Sequence, residues 1–251
     1  MFLQAQKTGL FLLLPFFSLP SLAQYKIREI RHRDDKDLVF PVFSGTNKPA
    51  VKKINEFLQM DFFETTTSKT SEKKLFDDSR FISEDSISQS GYTSISYEVE
   101  LNTPKILSVV FEVEAMGAYP TYYQQYFSFN SLNGNIFSPE SIFTEDGIAV
   151  IKKILIDKRN EEIRKSVEEL RADDRSGFLE DSTFIFEAFE SCNEEADEKN
   201  MFIEKEKILF YKYNCFPHAW GPYETNLDIV FTFKEVEKYL SVFGKKLLFT
   251  K

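Results

Sequence analysis

Rings and carboxylates supply most of the usable chemistry in this chain. It carries 11 tyrosines and 40 acidic residues but only two histidines and two cysteines, so recognition by aromatic faces and charge is better provided for than acid–base or thiol chemistry. The stretch "AMGAYPTYYQQYFSFNSLNGN", residues 115–135, sets six rings ahead of an Asn133-Gly134 pair. Read as a strand, it places Tyr122, Gln124, Tyr126, Ser128 and Asn130 on one side and Tyr123, Phe127 and Phe129 on the other. Phe127 and Phe129 are then expected in the core. Tyr122 and Tyr126 fall on the polar side and, with Tyr119, are the candidate ligand-binding rings, since tyrosine offers a broad apolar face and one polar tip at low rotamer cost. The alternative is that a helix covers that side and the hydroxyls are merely satisfied.

The histidines add little to this inventory. His32 lies in "RHR", where charged neighbours make it a solvated residue rather than a base. His218 lies in "FPHAWGPY", a loop with the only tryptophan, Trp220. A general base needs a positioned nucleophile and an orienting partner, and no recognisable nucleophile stands near His218 in sequence. G-x-S-x-G, H-E-x-x-H, C-x-x-C, P-loop and dinucleotide glycine patterns are absent, so no catalytic set, cofactor or metal site is expected. "NEEADEK" lacks the spacing and central glycine of a calcium loop and reads as a solvated loop. A carboxylate pair leaves no sequence signature, which keeps a cell-wall-directed hydrolase or transferase open as the enzymatic alternative.

Several elements must position these groups. "YKIREIRH" and "DLVFPVFSG" read as strands, the second interrupted at Pro41 and at an edge. Asn47 and Pro49 start a helix that buries Val51, Ile54, Phe57 and Leu58. A polar connection follows from Glu64 to Ser90. Ile95, Tyr97, Val99 and Leu101 alternate with polar residues as one strand, and "KILSVVFEVEA" is a second, with Leu107, Val109, Phe111 and Val113 on one face and Ser108, Glu112 and Glu114 on the other. Ser138-Pro139 opens a short helix. A long helix runs to about Arg171, its apolar stripe broken by Arg159, which implies a bend or a partly solvated middle. "MFIEKEKILFYKY" is strand-like. "TFKE" is a capping box leading a helix to Gly244 as its C-cap. The expected fold is α+β, a mainly antiparallel sheet with segregated helices. It is divided into an N-terminal ββα unit with its linker over 24–88 and a larger meander-plus-helices unit over 89–251.

Compartment is legible at the start. Lys7, the apolar run Gly9–Phe17 and Ser21-Leu22-Ala23 form a signal-peptide pattern over residues 1–23, cleaved before Gln24. An anchor is the alternative, but the run is short of the roughly 20 residues a spanning helix needs and contains Pro15. The protein is therefore expected to be exported, periplasmic or extracellular, with no stable membrane insertion. A formal net charge of −9 argues against nucleic acid, which wants a basic footprint, and suits a basic partner or simply solubility. Cys192 and Cys215, even in number and on this reading in an oxidising compartment, are expected to form a disulfide worth about 3 kcal/mol. Two buried thiols are the alternative.

Three stretches in order resemble the exported domain shared by the anti-sigma factor RsiV and the peptidoglycan deacetylase PdaC. They are "DLVFPVFSG" with "AVKKINEFL", "MGAYPTYYQQYFSFNSLNGNIFSPESIF", and "ILFYKYNCFPHAWGPYETNLDIVFTFKEVEKYL". Tyr119 stands where that family's pattern has histidine. The chain lacks both the sigma-binding segment with its membrane helix and the deacetylase domain, so neither activity carries over. The resemblance implies a non-catalytic exported α+β module, known in the anti-sigma member as a receptor for lysozyme. It implies binding of an envelope-associated basic protein such as lysozyme, or of cell-wall glycan, with the loop of His218 and Trp220 packing near the Gly-Ala-Tyr-Pro corner and sharing the ligand surface.

Overall fold

The structure, a computed structural model, describes residues 25–69, 71–76, 91–173, 199–212 and 226–249. It is an α+β fold of three antiparallel sheets and several helices. β1 (Lys26–Arg31) and β2 (Val39–Ser44) pair as a ribbon, followed by α1 (Lys48–Phe63). The Asn47 side chain accepts the Ala50 N–H, and at the other end Glu64 adopts a left-handed conformation, its N–H donating to Met60 O. β2 runs through Pro41, which sits opposite Glu29, so the expected interruption does not occur. In a two-stranded ribbon each strand has an outer edge where a missing N–H is tolerated.

β3 (Gly91–Asn102), β4 (Ile106–Met116) and β5 (Pro120–Asn130) form the central meander. Its inner face carries the first core. Phe62 lies 4.5 Å from Phe111 and Phe40 5.5 Å from it, ring centre to ring centre, and Leu58, Ile95, Val109 and Phe129 close around them. Residues on both sides of position 88 fill this core, so the ββα unit and the meander share one apolar interior. After β5 the chain turns sharply, with Gly134 at φ 72. A Cβ there would stand 2.6 Å from Ala50 O, so the turn's approach to α1 requires glycine.

The second core lies between α3 (Glu145–Asp173) and the sheet of β6 (Met201–Glu204), β7 (Lys207–Phe210) and β8 (Ile229–Thr232). The stretch 201–213, expected as one strand, contains a hairpin instead. Its two-residue connection is possible because Glu206 adopts φ 63. Arg159 is fully buried rather than solvated. Its Nε donates to Leu227 O at 2.9 Å and its guanidinium reaches Phe210 O and Tyr211 O at 3.4 and 3.5 Å, hydrogen bonds that offset the cost of burying the cation. Asp228 nearby is pushed above the usual carboxylate range by burial, against the pull of the Lys212 N–H and the Arg159 charge.

Two helical expectations change. The short helix α2 (Pro139–Ile142) forms as read, and the Thr232–Glu235 capping box is present, but the helix it starts, α4 (Phe233–Val236), gives way to a 3₁₀ turn over Glu237–Tyr239. Leu240 is extended and bridges Phe143. A new helix, α5 (Val242–Phe249), then contains Gly244, which is therefore not a cap. A Cβ on Gly244 would meet Ile142 O at 2.1 Å, so glycine there allows α5 to lie against α2.

Candidate ligand-binding face

The outer face of the meander is built from rungs of residues directly opposite one another. Ser94, Glu114 and Tyr122 make one rung, Ser96, Glu112 and Gln124 the next, then Glu98, Val110 and Tyr126. A bulge at Glu100 brings Leu101 opposite Ser108, which pairs in turn with Ser128. The face thus passes from acidic to apolar along its length.

Its apolar half is covered by the β6–β7 hairpin. Phe202, Leu209 and Tyr211 bury Val110, and the Tyr126 ring lies 5.2 Å from Phe202 and 4.8 Å from Tyr211. Ser108 and Ser128 share a hydrogen bond of 3.0 Å beneath the hairpin, and Ser128 Oγ accepts the Ile203 N–H at 2.9 Å. Tyr126 therefore does not stand on an open surface. The cover is a pair of strands, not the helix that sequence allowed as the alternative.

The acidic half is open. Ser94, Ser96, Glu112, Glu114, Tyr122 and Gln124 line a groove of about 520 Å³. Tyr122 is 70% exposed and Tyr119, in the turn between β4 and β5, is 63% exposed. Tyr122 donates its hydroxyl to Glu114, and that bond together with the Glu114 charge raises the phenol above its ordinary range. Ser96 Oγ donates to Glu112 Oε2 at 3.4 Å. The Tyr126 hydroxyl donates to Gln124 Oε1, joining the covered half to the open one. Glu100 beside the strip is raised by burial and by the charges of Glu98 and Glu204. Chemically the face offers one ring edge, several carboxylates and short hydroxyls, a set suited to cationic and hydrogen-bonding groups.

Of the residues singled out from sequence, Tyr122 lines the groove, Tyr119 is exposed in the turn between β4 and β5, and Tyr126 lies against the hairpin. His218, Trp220, Cys192 and Cys215 lie outside the described residues. His32 serves a turn, its Nδ1 accepting the Asp34 and Asp35 N–H groups at 3.3 and 3.0 Å. The sequence reading missed Glu112, Glu114, Ser94, Ser96 and Gln124 as site residues. Alternation put them on polar sides of their strands, but only the register aligns them in rungs with Tyr122.

No protein-family model matches the chain, and no curated protein matches it. Its structural neighbours are DUF3298 family proteins, a domain of unknown function. A member from Bacteroides fragilis is 15% identical, with 90% of this chain and 96% of that chain covered at a TM-score of 0.50. A second, from Pseudomonas aeruginosa PAO1, is 8% identical, with 87% and 94% covered at a TM-score of 0.46. The first likeness is one of fold.

Proposed function

We propose that this chain is an exported, non-catalytic binding module and that the open, acidic half of the meander is its ligand face. The partner its chemistry suits is an envelope-associated basic protein such as lysozyme, or cell-wall glycan. The observation that carries this reading is the contrast between the two halves: Tyr122, Glu114 and Glu112 stand in an open groove while Val110, Ser108 and Ser128 on the same face are buried beneath the β6–β7 hairpin. Export rests on the signal-peptide pattern of residues 1–23, and the likeness to the domain of RsiV and PdaC rests on the order of three motifs. Among the described residues no helix is long and apolar enough to cross a membrane.

Calorimetric titration of lysozyme and of soluble peptidoglycan fragments tests it. Tyr122→Ala is expected to weaken binding by about 1–3 kcal/mol without moving the melting temperature, and Tyr126→Ala to lower the melting temperature. Absence of binding to either ligand at low salt overturns the reading. Glu112 and Glu114 lie about 7 Å apart along β4, a spacing an inverting carboxylate pair could use. Turnover of peptidoglycan fragments that Glu114→Gln abolishes would make the face an active site instead. An intact mass beginning at Gln24 and lacking free thiol supports cleavage and the Cys192–Cys215 bond.

A further inference from the structure

The opposite end of the meander from the Tyr119 turn has a different character. Four large apolar side chains stand out there: Leu132 at 66% exposure, Ile136 at 43%, Val242 at 88% and Phe243 at 44%. Phe137, next to Ile136, meets the Phe243 ring at 6.4 Å, and Lys105, bonded through its carbonyl to the Ser131 N–H, reaches Lys246 O at 3.1 Å. The start of α1 joins the same surface through Asn47, which donates to Leu132 O at 2.7 Å, and through Lys53, which donates to the neutral Asn135 Oδ1. Lys48, Lys53, Lys245 and Lys246 are all exposed. In a chain of net charge −9 this is a basic, apolar end.

Tyr25 is fastened to the same end, its hydroxyl donating to Ser131 O at 2.7 Å and its N–H to Asn102 Oδ1 at 2.9 Å. We infer that this end is a peripheral docking surface for an anionic lipid bilayer. Val242, Phe243 and Leu132 enter the headgroup boundary while the lysines meet lipid phosphates. A second copy is a poorer occupant, because a two-fold contact on this patch brings lysine against lysine. Docked by this end, the module turns its acidic groove away from the bilayer, since the two surfaces sit at opposite ends of β4 and β5. The inference does not depend on what the groove binds.

Co-sedimentation of the mature chain, beginning at Gln24, with phosphatidylglycerol-containing and with pure phosphatidylcholine vesicles tests it, because the apolar run Gly9–Phe17 is then absent and only the folded surface can partition. V242E/F243E is expected to lower partition onto the anionic vesicles at least about tenfold. K245E/K246E is expected to lower it several-fold, and salt near ~0.5 M to weaken it in the parent. Both apolar side chains are exposed, so melting should hold; should it fall, Val242→Trp decides, its fluorescence being quenched by brominated lipid if the surface docks. Equal partition of parent and V242E/F243E, equal partition onto neutral and anionic vesicles, absent quenching, or a vesicle-free dimer that V242E/F243E dissolves would each overturn the assignment.

Discussion

Tyr122 and Tyr126 lie four residues apart on one face of one strand, and their surroundings differ in kind. Tyr122 extends over a groove and bonds a carboxylate, whereas Tyr126 packs against Phe202 and Tyr211. Strand parity is the same for both, so alternation cannot separate them. What separates them is the neighbouring strand. β4 presents Glu114 and Glu112 beside Tyr122 and Gln124, then Val110 and Ser108 beside Tyr126 and Ser128. A tyrosine's role on a sheet is set by its rung as much as by its own residue type.

The comparison breaks most visibly if the hairpin is not a true cover. Phe202→Ala removes a buried ring and is expected to cost about 3–5 kcal/mol in chemical unfolding, against about 0.5 kcal/mol or less for Tyr122→Ala at the open end. Similar costs at both sites would show that the two halves are equally solvated. Ser128→Ala, which removes the acceptor of the Ile203 N–H and the partner of Ser108, should cost about 1–3 kcal/mol. A neutral outcome there would mean the hairpin sits on the sheet by apolar contact alone. Paired substitution of Glu112 and Glu114 by glutamine should leave unfolding unchanged while slowing association with a basic partner and flattening its salt dependence. Stopped-flow mixing measures that rate, and an unaltered salt slope would remove the carboxylates from the ligand face.

Local signals carried much of this fold. The alternation of Ile95–Val99 and Leu107–Val113, the Asn47 cap, and the inward Phe127 and Phe129 all depend on residues within a few positions of one another and form as read, whereas the bulge at Glu100 takes Leu101 out of the expected alternation and sets it opposite Ser108. The misread features depend on distant partners. Gly244 looked like a cap because glycine commonly ends helices, yet it is selected by the Ile142 carbonyl about a hundred positions earlier. Arg159 implied a bend or a partly solvated middle because it interrupts the apolar stripe of its own helix, yet it is buried, and its acceptors come from β7 and the approach to β8. The cover over Tyr126 likewise belongs to a hairpin whose turn, at Lys205-Glu206, has no glycine or asparagine to announce it. In the candidate site the tyrosines were visible from composition, whereas the rung that joins Ser94, Glu114 and Tyr122 exists only through strand register.

The smallest effect separates the two faces of the sheet rather than the two halves of one. Tyr97 belongs to the inner side, 6.3 Å from the Phe111 ring, with its hydroxyl donating to Glu29 at 3.2 Å. Burial first, then the charge and hydrogen bond of Glu29, push its phenol from 10.0 up to about 12. Tyr122 on the open side is raised chiefly by its bond to Glu114. Both folded values lie above the unfolded one, so each phenol's contribution to stability is complete below pH 10.0 and disappears as pH rises through the folded value, near 12 for Tyr97. Glu114→Gln should therefore bring Tyr122 back toward its ordinary range and leave Tyr97 where it is, a change that ring-carbon NMR titration reads residue by residue. Were both phenols to shift together, Glu114 would be acting through the sheet as a whole and the separation between an open, locally governed face and a packed one would fail. Were Tyr122 alone to move, its hydroxyl would be shown to answer to one half-buried carboxylate in the groove, the condition under which a ligand cation could displace it.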